Sequence, residues 1–142
     1  DAAAAKVAEM ALTFEELLAR DKPKIPLKKA TGKALLHGHC HQKAFDVVRP
    51  IETVLSWIDG LEVTSIETSC CGMAGAFGYG TSSYDISMQM ANANLLPAIR
   101  HADPDHLIIA DGTSCRCQIK DGAQRTAKHV ALVLDSYLED ID

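Results

Sequence analysis

The five cysteines of this sequence are its residues best suited to chemistry. Cys70 and Cys71 are adjacent, and a glycine-rich loop follows them. Neighbouring side chains on a strand point to opposite faces, so both thiols can serve one site only where the backbone turns sharply, as Gly72 permits. Zinc and iron–sulfur clusters both accept four thiolates. We therefore predict four metal ligands, with Cys117 as a spare thiol: Cys40, Cys70, Cys71 and Cys115.

Three short segments are predicted to be strands that deliver these cysteines. Residues 33–38, 61–66 and 106–110 are apolar or alternating, and a cysteine follows the end of each one. Helical patterns alternate with them, at residues 2–20, 43–58, 82–100 and 130–138, and the polar segment before residue 128 is predicted to be partly helical. Pro50 is expected to kink or divide its helix, and Pro97 to mark an earlier stop of the next.

This alternation indicates an α/β fold with a small parallel sheet of about three to four strands flanked by helices. Sites in such sheets lie beyond the carboxyl ends of the strands. The cysteine-bearing loops are therefore expected to converge at that edge.

The length of 142 residues corresponds to one domain. Two prolines in residues 21–26 interrupt the pattern after the first predicted helix. We assign residues 1–32 to an N-terminal helix and linker, and residues 33–142 to one compact cysteine-rich domain. The chain opens without Met or a secretion signal, and we interpret it as a piece of a longer protein.

Charge and cysteine usage limit the partners and the compartment. The net charge of −5 does not favour binding to nucleic acid or to an anionic membrane surface. No apolar run is long enough to predict a transmembrane span. An odd number of loop cysteines and the lack of a secretion signal favour metal or redox chemistry in the cytoplasm. A partner could also hold the protein peripherally on the inner face of the membrane.

Other interpretations of the cysteines stay open. They could form a redox disulfide, as a Cys70–Cys71 or Cys40–Cys71 pair, or be inert buried thiols. A phosphate-binding loop is disfavoured, because the glycines match neither Gly-x-Gly-x-x-Gly nor a P-loop with its lysine.

The histidines beside Cys40 are candidates for a supporting role. His39 and His41 could be ligands, proton carriers or hydrogen-bond donors to sulfur, but an extended backbone would point both away from Cys40. Three further residues could bind a carboxylate, although charged groups near solvent are the simpler interpretation: Lys43, Tyr79 and Arg116. The remaining histidines are interpreted as ordinary strand-end or surface residues: His37, His101, His106 and His129.

The order of these motifs resembles the cysteine-rich CCG domain of Fe–S oxidoreductases, such as heterodisulfide reductase and the iron–sulfur subunits of glycolate oxidase. That family has a Cys after a strand, then Cys-Cys-Gly, then Cys-x-x-Cys. The matching segments here are His39-Cys40-His41, Cys70-Cys71-Gly72 and Thr113-Ser114-Cys115, within about residues 33–120. Gly112 stands where the first Cys of Cys-x-x-Cys belongs, so four motif sulfurs remain instead of five.

Residues 37–44, 70–79 and 110–116 look like the C-terminal part of FAD-linked D-2-hydroxy-acid dehydrogenases. The resemblance implies an iron–sulfur electron-transfer domain, with a 4Fe–4S cluster, of a flavin-linked oxidoreductase that acts on a 2-hydroxy acid of the lactate or glycolate type. FAD and a ferredoxin-like segment would belong to partner domains or subunits, without which the isolated domain would be inactive. Five residues would lie beside the ligands or face the substrate: His39, His41, Gly72, Arg116 and Cys117. The alternative is a structural zinc-binding or subunit-assembly domain with no redox role.

Overall fold

The computed structural model describes residues 1–68 and 70–140, and in these ranges it contains a four-stranded parallel sheet. The strands are β1 (Gly32–His37), β2 (Leu61–Ser65), β3 (Leu107–Ala110) and β4 (Ala127–Lys128), in the order β2-β1-β3-β4. The predicted α/β fold is therefore confirmed. Residues 69, 141 and 142 belong to the predicted cysteine-rich domain but lie outside the described residues.

Eight α-helices flank the sheet in the described ranges. They are α1 (Ala2–Met10), α2 (Phe14–Asp21), α3 (Cys40–Ala44), α4 (Val48–Leu55), α5 (Tyr84–Ala93), α6 (Leu95–His101), α7 (Thr113–Ala123) and α8 (Val130–Ser136). A short 3₁₀ helix spans Phe77–Tyr79. Among these helices none has the length and apolar character that crossing a bilayer requires.

The helix predicted over residues 2–20 is two helices, so that prediction was wrong in its extent. Thr13 begins α2 with a capping box: its hydroxyl accepts from the Glu16 N–H at 3.3 Å, and the Glu16 carboxylate accepts from the Thr13 N–H at 2.7 Å. These reciprocal bonds satisfy N–H groups that a helix start leaves unpaired. A new helix therefore starts at residue 14.

The other two long helices are also divided. The first begins earlier than predicted, at Cys40, and breaks before α4, where Asp46 adopts a positive φ of 55°. The second breaks at Asn94, between α5 and α6. Pro50 and Pro97 each occupy the third position of the helix that follows the break, where a missing N–H costs no helical hydrogen bond. The prolines thus lie in first turns and kink no helix.

The core lies in two layers, one on each face of the sheet. On one face, Leu36 and Ile109 pack with apolar side chains of α4 and α8. On the other face, Ile108 and Ala110 pack with α6 and α7, and with Cys71 and Cys115. Side chains of a strand alternate between faces, so His37, two residues after Leu35, points to the face that holds these two cysteines.

Candidate metal centre

The predicted ligands line one cleft of about 590 Å³ at the carboxyl ends of the strands. This cysteine cleft is bordered by Cys40 at the start of α3, by Cys70 and Cys71 after β2, and by Cys115 in the first turn of α7. Parallel topology brings these distant segments together, because each of them follows the end of a strand. None of the five cysteines, all in the described part of the chain, forms a disulfide. Their role as metal ligands stays a prediction.

Cys71 and Cys115 form the buried part of the cleft. They are 5% and 3% exposed, and the Cys115 thiol donates to Cys71 Sγ at 3.2 Å. This hydrogen bond lowers the pKa of Cys71, and the same bond together with burial raises the pKa of Cys115. The pair therefore favours one thiolate and one thiol. A thiolate is the form of cysteine that binds metals.

Cys40 and Cys70 form a second pair, nearer to solvent. Partial burial raises the pKa of Cys40, and a hydrogen bond with Cys70 adds to this effect. Cys70 is half-buried, and its Sγ accepts from the N–H of Gly72 at 3.2 Å. The cleft thus presents sulfur in two pairs, one buried and one accessible.

His37 is the functional candidate that sequence reasoning missed. It is the last residue of β1, as the strand-end interpretation states, but it is not a surface residue, because it is only 1% exposed. Its Nδ1 is 3.0 Å from the Thr68 hydroxyl, and its buried Nε2 makes no hydrogen bond of normal geometry in the described part of the protein. An interaction of His37 with Cys71 nevertheless helps to lower the pKa of that thiol. One ligand atom from each of His37, Cys71 and Cys115 lies within 4.8 Å of the other two. A buried imidazole nitrogen without a normal hydrogen bond, beside two thiols, fits a metal ligand.

The Cys-Cys-Gly loop is fixed by buried polar contacts. Gly72 has a φ of 87°, and a Cβ at this position would overlap the backbone oxygen of Ser87. The Gln118 amide donates to the Cys71 carbonyl and to the Ser87 hydroxyl, both at 3.0 Å. Gly72 is therefore required by its backbone angle and by its close packing, and it holds Cys70 through its own N–H.

His39 and His41 border the cysteine cleft, His39 half-buried and His41 exposed, with ring centres 6.0 Å apart. Burial lowers the pKa of His39, so its neutral form is favoured. The segment between them is the start of α3 and not an extended strand. They also border a neighbouring cleft with Asp111.

Arg116 and Cys117 lie on a separate, smaller cleft of about 170 Å³. The Arg116 guanidinium donates to the Ala110 carbonyl at 3.1 Å and to the Asp111 carbonyl, so it is engaged with the end of β3. A hydrogen bond with Cys117 raises the pKa of Tyr79. Arg116 and Cys117, which were predicted to support the metal ligands, therefore border this smaller cleft and not the cysteine cleft. Lys43 donates to the carbonyl and hydroxyl oxygens of Thr68, the residue that also contacts His37.

Comparison with known proteins relates the chain to dehydrogenases. It is 30% identical over 110 residues to a subunit of the anaerobic glycerol-3-phosphate dehydrogenase of Escherichia coli (strain K12), across 78% of this chain and 27% of that subunit. It is 29% identical over 112 residues to a D-2-hydroxyglutarate dehydrogenase of Pseudomonas putida, across 78% of this chain and 11% of the relative. A D-2-hydroxyglutarate dehydrogenase of Haemophilus influenzae is 29% identical over 99 residues, or 66% of this chain and 9% of the relative.

The chain therefore spans 27% of the length of the first relative, and 11% and 9% of the other two. No protein-family model matches it, and no solved structure does. The predicted similarity to oxidoreductases is confirmed, because these relatives are dehydrogenases or a subunit of one. Membership of the CCG family stays a prediction. The chain is similar to parts of larger dehydrogenase polypeptides.

Proposed function

We propose that this chain is the cysteine-rich electron-transfer domain of a flavin-linked dehydrogenase that oxidises a 2-hydroxy acid. In this proposal Cys40, Cys70, Cys71 and Cys115 hold a 4Fe–4S cluster. The observation that carries it is the convergence of these four cysteines on one cleft. Similarity to D-2-hydroxyglutarate dehydrogenases supports a 2-hydroxy acid as the substrate class, of which lactate and glycolate are smaller members.

The residues present fit such a group. Thiolates are the usual ligands of iron–sulfur clusters, and the four cysteines that line the cleft could supply them after losing their protons. The buried Nε2 of His37 makes no hydrogen bond of normal geometry in the described residues, and it would gain a partner beside a bound metal or sulfide. When bound, a cluster would supply one-electron transfer, and a flavin that has taken up two electrons can pass them on one at a time to such an acceptor.

The residues around the cysteine cleft would control the charge at the bound group. Binding at Cys71 and Cys115 requires both thiolates, so the proton now shared between them must leave the cleft. The contact between His37 Nδ1 and Thr68 fixes the ring, and Lys43 brings a positive charge to the same hydroxyl. The charge of Lys43 also acts on Cys40, where it partly offsets the rise in the pKa of that thiol. A positive charge near a cluster favours its reduced form, so Lys43 would raise the reduction potential.

Flavin, substrate and the ferredoxin-like segment are assigned to other parts of the parent enzyme. The named relatives are dehydrogenases, or a subunit of one, several times longer than the matched segment. We place the domain in the cytoplasm, where cysteines stay reduced, with contact to the membrane only through a partner.

A second candidate function is a structural zinc site. It is favoured by one observation, the grouping of His37, Cys71 and Cys115 ligand atoms within 4.8 Å of one another, which suits a single ion with nitrogen and sulfur ligands. In that case the metal would stabilise the fold and carry no electrons.

The two functions are separated by spectroscopy of the chain produced and purified without oxygen. An iron–sulfur site gives broad visible absorption that dithionite bleaches. Cys71→Ser should abolish this absorption, while Cys117→Ser, which changes a thiol outside the cysteine cleft, should retain it. A colourless protein with one zinc per chain would contradict the electron-transfer proposal and support the structural one.

A further inference from the structure

A second cleft, of about 610 Å³, lies beside the cysteine cleft and carries a different set of ligand atoms. It is bordered by Glu15 of α2, by Asp111 directly after β3, and by His129 directly before α8. One ligand atom from each of these three residues lies within 4.8 Å of the other two. We call this the acidic cleft. Three segments that are distant in sequence therefore bring two carboxylates and an imidazole together.

Asp111 and His129 are held in place by bonds to the backbone and to a neighbouring side chain. Asp111 accepts from the Val130 N–H at 2.9 Å with one oxygen and from the Gln42 amide at 2.8 Å with the other. The Nδ1 of His129 accepts from the Ala131 N–H at 3.1 Å. These contacts hold both side chains in place. Because the lone pair of His129 Nδ1 is used by the Ala131 N–H, only Nε2 of that ring could bind a metal, whereas each Asp111 oxygen has a second lone pair.

Glu15 is the third residue of this group, and its side chain is less well satisfied. It is only 4% exposed, and its Oε1 is buried with no hydrogen-bond partner in the described residues. No lysine or arginine is among the described residues that line the acidic cleft. Burying a carboxylate beside another carboxylate without a cation is costly, because each charge loses its hydration and repels the other. Burial raises the pKa of Glu15, and the basic side chain beside it is His129, whose Nδ1 lies 3.6 Å from Asp111 Oδ1. A bound cation would offset the cost of a charged Glu15.

We propose that Glu15, Asp111 and His129 bind one divalent transition-metal ion, separate from any group in the cysteine cleft. Two carboxylates and an imidazole suit ions such as Mn²⁺, Fe²⁺ or Zn²⁺, which accept both oxygen and nitrogen ligands. The ion would supply a positive charge at Glu15 and would join α2 to the end of β3 and the start of α8. Its remaining coordination positions would be filled by water from the cleft.

The proposal is tested with Mn²⁺ on the full 142-residue chain, because Mn²⁺ prefers oxygen and imidazole ligands over thiolates. Binding is followed by electron paramagnetic resonance of the unbound ion. We expect one Mn²⁺ per chain, with affinity at least tenfold weaker in Glu15→Gln, a substitution that keeps the shape and removes the charge. Glu9→Gln, which removes an exposed carboxylate on α1, and Cys71→Ser, in the cysteine cleft, should bind Mn²⁺ as the original chain does.

A second measurement needs no variant. In the NMR spectrum of the original chain, one equivalent of Mn²⁺ should broaden the amide signals of Thr13 and Val130 before those of Cys70 and Gly72. Absence of Mn²⁺ binding, equal affinity in Glu15→Gln, or loss of binding in Cys71→Ser would each overturn the proposal. These outcomes are independent of whether the cysteine cleft holds an iron–sulfur cluster.

Discussion

Replacing Gly72 by alanine tests how tightly the Cys-Cys-Gly loop is packed. Gly72 has a φ of 87°, and an added Cβ would overlap Ser87 O and lie 2.9 Å from Ser87 C. The obstructing atoms belong to the backbone of α5, which cannot rotate away as a flexible side chain could. Gly75 provides a matched control, since it also has a positive φ, of 68°, but no atom lies within 4 Å of its added Cβ.

The magnitude follows from these two contributions. A non-glycine residue at positive φ costs roughly 1–2 kcal/mol, which is the whole effect expected for Gly75→Ala. Gly72→Ala adds the displacement of α5 and the loss of the buried Gln118 bonds to Cys71 and Ser87, each worth about 1 kcal/mol or more. We therefore expect a destabilisation of about 3–5 kcal/mol, a range reached by few single substitutions.

The assay is urea unfolding of the metal-free, reduced chain, followed by far-ultraviolet circular dichroism. Gly32→Ala, at a position with ordinary φ and open space around its Cβ, supplies the baseline for an added methyl group. Gly72→Ala should be at least about 2 kcal/mol less stable than Gly75→Ala, because only the first meets the backbone of α5. Equal stabilities for the two variants would refute the argument that close packing, and not backbone angle alone, requires glycine at 72.

Two further predictions concern the cysteine cleft. The hydrogen bond from Cys115 holds the pKa of Cys71 below its usual range, so the metal-free chain should contain a thiolate at neutral pH that is lost on acidification. Ultraviolet absorbance of the thiolate measures this loss. An unchanged signal in Cys71→Ser would contradict the assignment to Cys71. If His37 contacts the bound group, His37→Gln should lower the amount of metal retained after dialysis at least tenfold, while His101→Gln, on an exposed histidine of α6, should retain the original amount.

Much of the fold could be predicted because it depends on local pattern. The apolar segments that end near residues 38, 66 and 110 are strands in the structure, and their parallel arrangement follows from the helices between them. β4 has only two residues, too few for a periodic pattern. The division of the first predicted helix could have been predicted from the sequence, since Thr13 and Glu16 have the spacing of a capping box.

The candidate site was harder to predict where it depends on tertiary contact. The cysteines could be found because cysteine in a loop after a strand is an unusual residue choice. His37 could not be recognised in the same way, since its importance comes from Cys71 and Cys115 approaching it from other segments. Strand alternation was the available signal: it places His37 on the face opposite Leu36. Glu15 gave no signal, because nothing local brings it to Asp111.

We propose that the four cysteines of the cysteine cleft bind one iron–sulfur cluster. Iron and acid-labile sulfide, measured per chain after anaerobic reconstitution, test it most directly. About four of each are expected for the original chain and for Cys117→Ser, because a 4Fe–4S cluster needs only the four cleft thiolates. Serine at Cys40, Cys70, Cys71 or Cys115 should lower both values. Equal iron and sulfide in all these variants, or zinc in place of iron, would contradict the claim.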